Sequence, residues 1–320
     1  MSLRAEDSCA ALSRQRRRLL RRALALLAAA TGTARAGSAP PAVRDDSGAL
    51  VRLAAPARRI VALSPQLVEL CFAAGAGARL IATVRGADHP PAARRLPRLG
   101  DAYALNLEAL ALLRPDLILA WRSGTPQRQI DALQRLGVPV YWSETRELRD
   151  IAGTVLRIGD LAGTQAAAGA WAHAYLLRLA ALRRSARGQA PVRVFYQVWP
   201  APLMTVGSLQ LIDHAIRLCG GVNVFGALRA TAPSVSREAV LARDPQLIVA
   251  ATRQADALRA WRAFSQISAV RHQRLVLLDP DELPGMGSRV LDGVQQLCQA
   301  IAQTRAQLRA AGPAHGQAQR

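Results

Sequence analysis

The sequence predicts an α/β protein of two pseudo-symmetric lobes, each built on a parallel sheet, joined by a long rigid helix, with a ligand cleft between the lobes. Three observations carry that reading. Short apolar runs alternate with helical patterns along most of the chain, the signature of strands linked by crossover helices. Asn106-Leu-Glu-Ala-Leu-Ala-Leu-Leu-Arg-Pro-Asp-Leu-Ile-Leu-Ala120 aligns without gaps on Ser236-Arg-Glu-Ala-Val-Leu-Ala-Arg-Asp-Pro-Gln-Leu-Ile-Val-Ala250. Residues 147 to 187 contain no Pro and are rich in Ala, Leu and Arg, so they read as a helical spine rather than a floppy linker.

In the first series, strands are expected near Arg59–Leu63, Leu80–Val84, Leu117–Trp121 and Val138–Trp142. Helices are expected between them at Gln66–Ala74, Leu107–Leu113 and Pro126–Leu136. The second series has strands at Arg193–Val198, Leu247–Ala251 and Leu275–Asp279, with helices at Leu209–Leu218, Arg237–Arg243, Ala255–Phe264 and Arg289–Ala310. The repeated unit is a helix cap, a short helix, a Pro stop and a buried strand. Ser64-Pro-Gln-Leu-Val-Glu69 and Ser208-Leu-Gln-Leu-Ile-Asp213 form a weaker second echo. The expected organisation is a signal peptide over 1–36, an N-terminal lobe over 58–146, the interlobe helix over 147–190, a C-terminal lobe over 191–311 and a flexible tail over 312–320.

The amino terminus sets the compartment. A basic run, Ser13-Arg-Gln-Arg-Arg-Arg-Leu-Leu-Arg-Arg22, precedes an apolar stretch from Ala23 to Ala30 and the small-x-small site Ala34-Arg-Ala36. The apolar run is far short of the roughly 20 residues that span a bilayer, so it reads as a cleaved secretory signal leading to the periplasm, with no transmembrane segment in the mature chain. The whole chain carries a net charge of +20, and all 42 basic residues are Arg. That bias has the look of a high-GC genome, which weakens the charge as a sign of nucleic acid. A nucleic-acid binder needs Arg interleaved with exposed aromatics or a basic recognition helix, whereas here Arg is spread over both lobes. Cys9 leaves with the signal; of the other three, Cys71 sits in an apolar helix as a buried thiol. Cys219 and Cys298 form the better-placed pair for an oxidising compartment, with two more buried thiols as the alternative.

No enzyme emerges. The chain has no Gly-x-x-x-x-Gly-Lys, Gly-x-Gly-x-x-Gly, His-Glu-x-x-His, Cys-x-x-Cys or Gly-x-Ser-x-Gly, and its five His are scattered without ligand spacing. No catalytic residue, metal ligand or cofactor is assigned. Unusual residues do stand at the carboxyl ends of strands, where open α/β sheets bind ligands. These are Ser64 and Pro65, Tyr103, Trp121, Trp199 and Asp281. One Trp per lobe with a few polar groups suits a large flat apolar ligand, whereas Trp142, Trp171 and Trp261 read as core. Glu108 and Glu238 each fall two residues after a helix cap, once per lobe. The helix dipole alone favours such a carboxylate by roughly 0.3–1 kcal/mol; the functional reading is a matched acidic knob on each lobe for bidentate pairing with Arg of a two-fold partner.

One set of motifs is Arg59-Ile-Val-Ala-Leu-Ser-Pro, Asn106-Leu-Glu through Ala-Trp-Arg-Ser-Gly124, and Leu136-Gly-Val-Pro-Val. It continues in Arg193-Val-Phe-Tyr-Gln, Leu218-Cys-Gly-Gly-Val-Asn-Val-Phe225, Val235-Ser-Arg-Glu238 and Gln295-Gln-Leu-Cys298, covering about residues 58 to 303. In these motifs the sequence resembles the periplasmic cobalamin-binding proteins of ABC importers. The resemblance implies a substrate-binding protein of the helical-spine class, with cobalamin carried between the lobes as cargo. It further implies that Trp121 lines the corrin site, that Cys219 and Cys298 form a disulfide, and that Glu108 and Glu238 dock onto Arg residues of a permease that works with ATPase subunits. Several family aromatics fall on small residues here, Gly86, Ala102 and Ala232, and a family Arg falls on Gly285, while Asp281 is kept. Trp199 and Tyr103 are the candidates to compensate. Haem or a ferric siderophore is the alternative cargo within the same class.

Overall fold

The computed structural model describes residues 40–101 and 104–310. The expected signal peptide, Tyr103 and the expected tail lie outside the described residues. The first elements are ones the sequence reading passed over, an antiparallel pair β1 (Ala42–Arg44) and β2 (Leu50–Arg52). Asp45 organises its turn, accepting from the Ser47 and Ala49 backbone N–H groups at 2.9 and 3.0 Å. Asp46 then fixes the hairpin to the body, accepting from the Glu144 N–H at 2.8 Å and pairing with Arg157. Burial raises the Asp46 carboxyl above its ordinary range.

The first lobe follows as β3 (Ile60–Ala62), α1 (Pro65–Ala73), β4 (Leu80–Ala82), α2 (Leu107–Leu112), β5 (Leu117–Trp121), α3 (Gln127–Arg135) and β6 (Val140–Ser143). The sheet order is β4-β3-β5-β6, with every pairing parallel. Leu117 to Ala120 are all buried, as a strand covered by helices on both faces requires. Pro65 stands at the first turn of α1, where its missing N–H costs nothing.

The connector is two helices, α4 (Leu148–Ala162) and the 22-residue α5 (Gln165–Ala186). Gly163, at φ +64°, ends α4 in a left-handed cap and turns the chain. The two helices pack so closely that a Cβ on Gly159 would stand 2.4 Å from the Ala168 Cβ. The Tyr175 hydroxyl donates to the Leu148 carbonyl at 2.8 Å, tying the start of α4 to the middle of α5.

The second lobe comprises β7 (Val192–Pro200), β8 (Leu203–Thr205), α6 (Leu211–Leu218), β9 (Gly221–Asn223), α7 (Arg237–Arg243), β10 (Leu247–Ala251), α8 (Ser268–Arg271), β11 (Leu275–Leu278) and α9 (Val290–Ala310). Strands β11, β10, β7 and β9 pair in parallel, and β8 adds an antiparallel turn-back on β7. Strands β8 and β9 are three residues each, too short to show a period. The helix expected over Ala255–Phe264 is instead a single 3₁₀ turn, Arg259–Ala263. Tertiary packing decides there: Trp261 donates through Nε1 to Gln197 Oε1 at 2.7 Å and meets Phe195 edge-on at 5.4 Å. Fixing that indole in the core takes precedence over regular helix.

One hydrophobic cluster runs from the first sheet (Ile60, Leu119, Tyr141) through α4 and α5 (Val155, Ile158, Tyr175) into the second (Val194, Val249, Leu278). The lobes therefore share a core. They also share a buried polar junction, in which Glu69 of α1 accepts from the Ser288 N–H and hydroxyl at 3.1 and 2.9 Å and pairs with Arg289 at 3.2 Å. Gly287 permits that approach, since a Cβ there would stand 2.6 Å from Glu69 Oε2.

Candidate functional site

The carboxyl ends of β3, β4 and β5 enclose a cavity of about 360 Å³ in the first lobe, bounded by Ser64, Pro65, Val84, Arg85 and Trp121. Three strand ends converge there because the strands are parallel, which is the general reason such sheets bind ligands at that edge. Trp121 closes β5, half-buried. Its indole lies over Gly124, where an added Cβ would meet the ring at 1.9 Å, and the Thr125 hydroxyl donates to the Trp121 carbonyl at 2.7 Å. The Trp-x-x-Gly-Thr turn thus sets the ring's position. Ser64 precedes α1 with a buried hydroxyl that has no hydrogen-bond partner among the described residues. An unpaired buried hydroxyl is costly and is relieved when a ligand supplies the partner. Gly86, at φ +81°, leaves Pro65 uncovered.

Larger cavities, about 520 and 530 Å³, lie along α5 and α6, sharing Arg183, Arg217 and Leu218. Their linings hold no Trp, Tyr or Phe and belong to helices rather than strand ends, so size does not make either of them the site. In the second lobe Trp199 stands near the end of β7, opposite Met204 of β8, with 58% of its surface exposed. Asp281 follows β11 and pairs with Arg253, which follows β10. The structure therefore gathers Ser64, Pro65 and Trp121 into one cavity and places Trp199 and Asp281 at strand ends of the other sheet. Trp142 and Trp261 are buried in the core, and Trp171 stacks on Tyr175 at 4.9 Å.

Glu108 and Glu238 are both exposed in the first turns of α2 and α7. The caps are made by their neighbours: Asn106 accepts from the Ala109 N–H at 2.9 Å and Ser236 from the Ala239 N–H at 3.1 Å. Neither glutamate is in an ion pair among the described residues, and hydrogen bonding to its own backbone and to Ser236 lowers the Glu238 carboxyl below its ordinary range. Cys219 and Cys298 are disulfide-bonded, joining the end of α6 to α9 with a Cα–Cα distance of 4.7 Å. Cys71 is free and buried, and burial pushes its thiol up to about 12. Among the described residues no three His, Cys, Asp or Glu are grouped to hold a metal ion, and no helix is long and apolar enough to cross a membrane.

The family profile described as periplasmic binding protein matches residues 60–282. The chain belongs to the periplasmic binding protein family. Within it, this binding protein is 34% identical over 244 residues to a vitamin B12-binding protein of Vibrio cholerae, covering 76% of this chain and 88% of the relative. It is 36% identical over 251 residues to a vitamin B12-binding protein of Yersinia pestis, covering 77% and 87%. The crystal structure of the periplasmic vitamin B12-binding protein BtuF of Vibrio cholerae superposes with a TM-score of 0.73 at 34% identity, over 78% of this chain and 98% of that one. A periplasmic haem-binding protein from Pseudomonas aeruginosa superposes with a TM-score of 0.66 at 28% identity, over 77% and 92%. These relatives are solute-binding proteins and share the two-lobed architecture described above.

Sequence reasoning did not single out Arg85 beside Trp121, Arg253 beyond β10, the Gly124 platform or the Glu69–Ser288 junction between the lobes. The two arginines stand at strand ends just as Trp121 does. They went unread because one Arg among 42 carries little signal. The junction joins residues 219 positions apart, a distance that no periodicity reports.

Proposed function

We propose that the chain is exported to the periplasm, that it captures cobalamin or a related corrinoid between its lobes, and that it hands the ligand to an ABC importer permease coupled to ATPase subunits. The observation that carries this reading is the Trp121 indole, set over Gly124 at the mouth of the strand-end cavity, in a chain whose relatives include vitamin B12-binding proteins. A flat macrocycle gains most from such a ring, since stacking adds to the burial of apolar area. The unpaired Ser64 hydroxyl at the same cavity offers a donor to a polar group on the ligand's rim. Trp199, exposed on the other lobe, is positioned as the second apolar contact. Glu108 and Glu238, uncommitted to ion pairs, are the docking carboxylates for permease arginines. Processing is assigned after Ala36, so that the mature chain keeps 34 Arg against 20 acidic residues, a net charge of +14. The chain acts as a carrier and not as an enzyme.

Haem is the second reading, favoured by the superposition on the haem-binding protein of Pseudomonas aeruginosa. Mixing the purified mature protein with cyanocobalamin or with hemin separates the two. A saturable change in the corrinoid absorbance band with cyanocobalamin supports the first reading. A change with hemin alone overturns it.

A further inference from the structure

Four arginines meet where α5 and α6 end, at the pole of the second lobe opposite its strand ends. Val192, the first residue of β7, pairs with Gly221 of β9 just beyond this point. The cluster therefore lies at the amino edge of the sheet, whereas Trp199 and Asp281 stand at its carboxyl edge. The cavity of about 530 Å³ at this pole is lined by Arg183, Arg184, Arg187 and Arg217, with Leu218 and Gly220 beside them. Among the described residues no acidic side chain lines it. Arg183, Arg184 and Arg187 make no side-chain hydrogen bond or ion pair among the described residues. Arg217 gives Nε to the buried Asp213 at 2.9 Å and keeps both Nη groups for another acceptor.

The ordinary duty of arginines at such positions is to cover the carbonyl end of a helix. Here other groups do that. Arg305 of α9 donates through Nη2 to the Cys219 and Gly220 carbonyls at 3.3 and 3.1 Å, closing α6. At the end of α5 the Ser185 hydroxyl donates to the Leu182 carbonyl at 2.8 Å, and the Arg187 N–H to the Arg184 carbonyl at 3.2 Å. The four guanidinium groups are left over. Arg183 and Arg187 stand one turn apart, roughly 6 Å along the helix axis, inside the screening length of roughly 8 Å at physiological salt. An anion between them relieves their repulsion. A carboxylate offers two coplanar oxygens and suits one guanidinium fork, whereas a phosphoryl group spreads three oxygens and accepts from several sides. Donors from two helices, extended over one turn, fit linked phosphoryl groups.

We propose that this pole binds an oligophosphate, a chain of two or more linked phosphoryl groups, held between the ends of α5 and α6. The site is separate from the strand-end cleft, so the inference does not depend on what the cleft carries. Isothermal titration of the chain processed after Ala36, at about 0.15 M salt to screen diffuse attraction, compares sodium tripolyphosphate with monophosphate and citrate. Tripolyphosphate should fill one saturable site about tenfold or more tighter than either, since each linked phosphoryl group adds charge-assisted hydrogen bonds. Arg183→Gln with Arg187→Gln should weaken it by about tenfold or more, leave cyanocobalamin binding unchanged, and remove the rise in melting temperature that tripolyphosphate gives the native protein. Arg95→Gln with Arg135→Gln takes the same charge from exposed positions of the first lobe and should change tripolyphosphate binding little.

An absence of saturable tripolyphosphate binding by the native protein overturns the proposal, and that arm needs no variant. Equal losses in the two double variants overturn it as well, because net charge alone would then explain the binding. Citrate binding as tightly as tripolyphosphate overturns the choice of phosphoryl groups. Co-sedimentation with vesicles of phosphatidylcholine and phosphatidylglycerol, without binding of free tripolyphosphate, would assign the cluster to a lipid surface instead and so overturn it too.

Discussion

In the first lobe the repeated unit ends on Trp121, half-buried over Gly124 at the edge of a cavity; at the same register in the second lobe stand Ala251 and Gln254, and the exposed Trp199 comes from β7 instead. Upstream the two units stay alike, with Asn106 and Ser236 capping the same helix turn, an exposed glutamate two residues on, and a buried strand after the proline. The difference shows where a duplicated α/β unit is free to change. Strand interiors and caps are held by packing and backbone hydrogen bonds, while strand ends face the cleft and can diverge toward a ligand. The second lobe is also stapled by a disulfide and carries an antiparallel strand, whereas the first relies on its core and on the β1–β2 hairpin anchored by Asp46.

The largest expected effect tests what the lobes keep in common. Glu108→Gln with Glu238→Gln should leave ligand affinity intact and nearly abolish association with the permease, since truncating one partner of a buried charge pair costs about 2–5 kcal/mol. If the two acids serve only the helix dipole, the double variant binds the permease normally, and a pull-down with reconstituted permease tells the outcomes apart.

The disulfide tests what the second lobe alone possesses. The bridge spans 79 residues, and removing a native disulfide commonly costs about 2–5 kcal/mol. Cys219→Ser with Cys298→Ser should reduce the unfolding free energy by that amount. Peptide mapping without reductant should recover the Cys219–Cys298 linkage, with Cys71 unmodified by thiol reagents until the protein unfolds.

The two Trp residues sharpen the comparison at the ligand. Trp121→Ala should weaken corrinoid binding by about 1–3 kcal/mol, and the more exposed Trp199→Ala by less, because less area is taken from water. Equal losses would mean that the second lobe closes over the ligand as tightly as the first.

Much of this was legible beforehand, and the failures have physical causes. The parallel strands were readable because a strand covered on both faces is a continuous apolar run, as in Leu117 to Ala120. Ser64, Pro65 and Trp121 were readable because strand ends have a known geometric role. The 3₁₀ turn at Trp261 was not, because a long-range contact to Gln197 overrides local periodicity. Nor was the Glu69–Ser288 junction, whose partners meet only after both lobes have folded.

The smallest expected effect lies where the connector meets the second lobe. The Leu148 N–H donates to His214 Nδ1 at 3.1 Å, and burial holds this imidazole below its ordinary range. An unfolded His titrates near about 6.5. The folded protein takes up that proton less readily, so the contribution is fully present above the unfolded value and is lost as pH falls below it. Denaturation midpoints should therefore fall more steeply below about pH 6.5 in the native protein than in His214→Gln. Parallel pH profiles would show that His214 does not contribute to the pH dependence of stability.

One corrinoid held between two unlike lobes is the proposed mode of binding. Isothermal titration of the chain processed after Ala36 with cyanocobalamin tests it most directly. A single saturable one-to-one site is expected, with hemin failing to displace the corrinoid. An absence of saturable heat, or displacement by hemin, would contradict it.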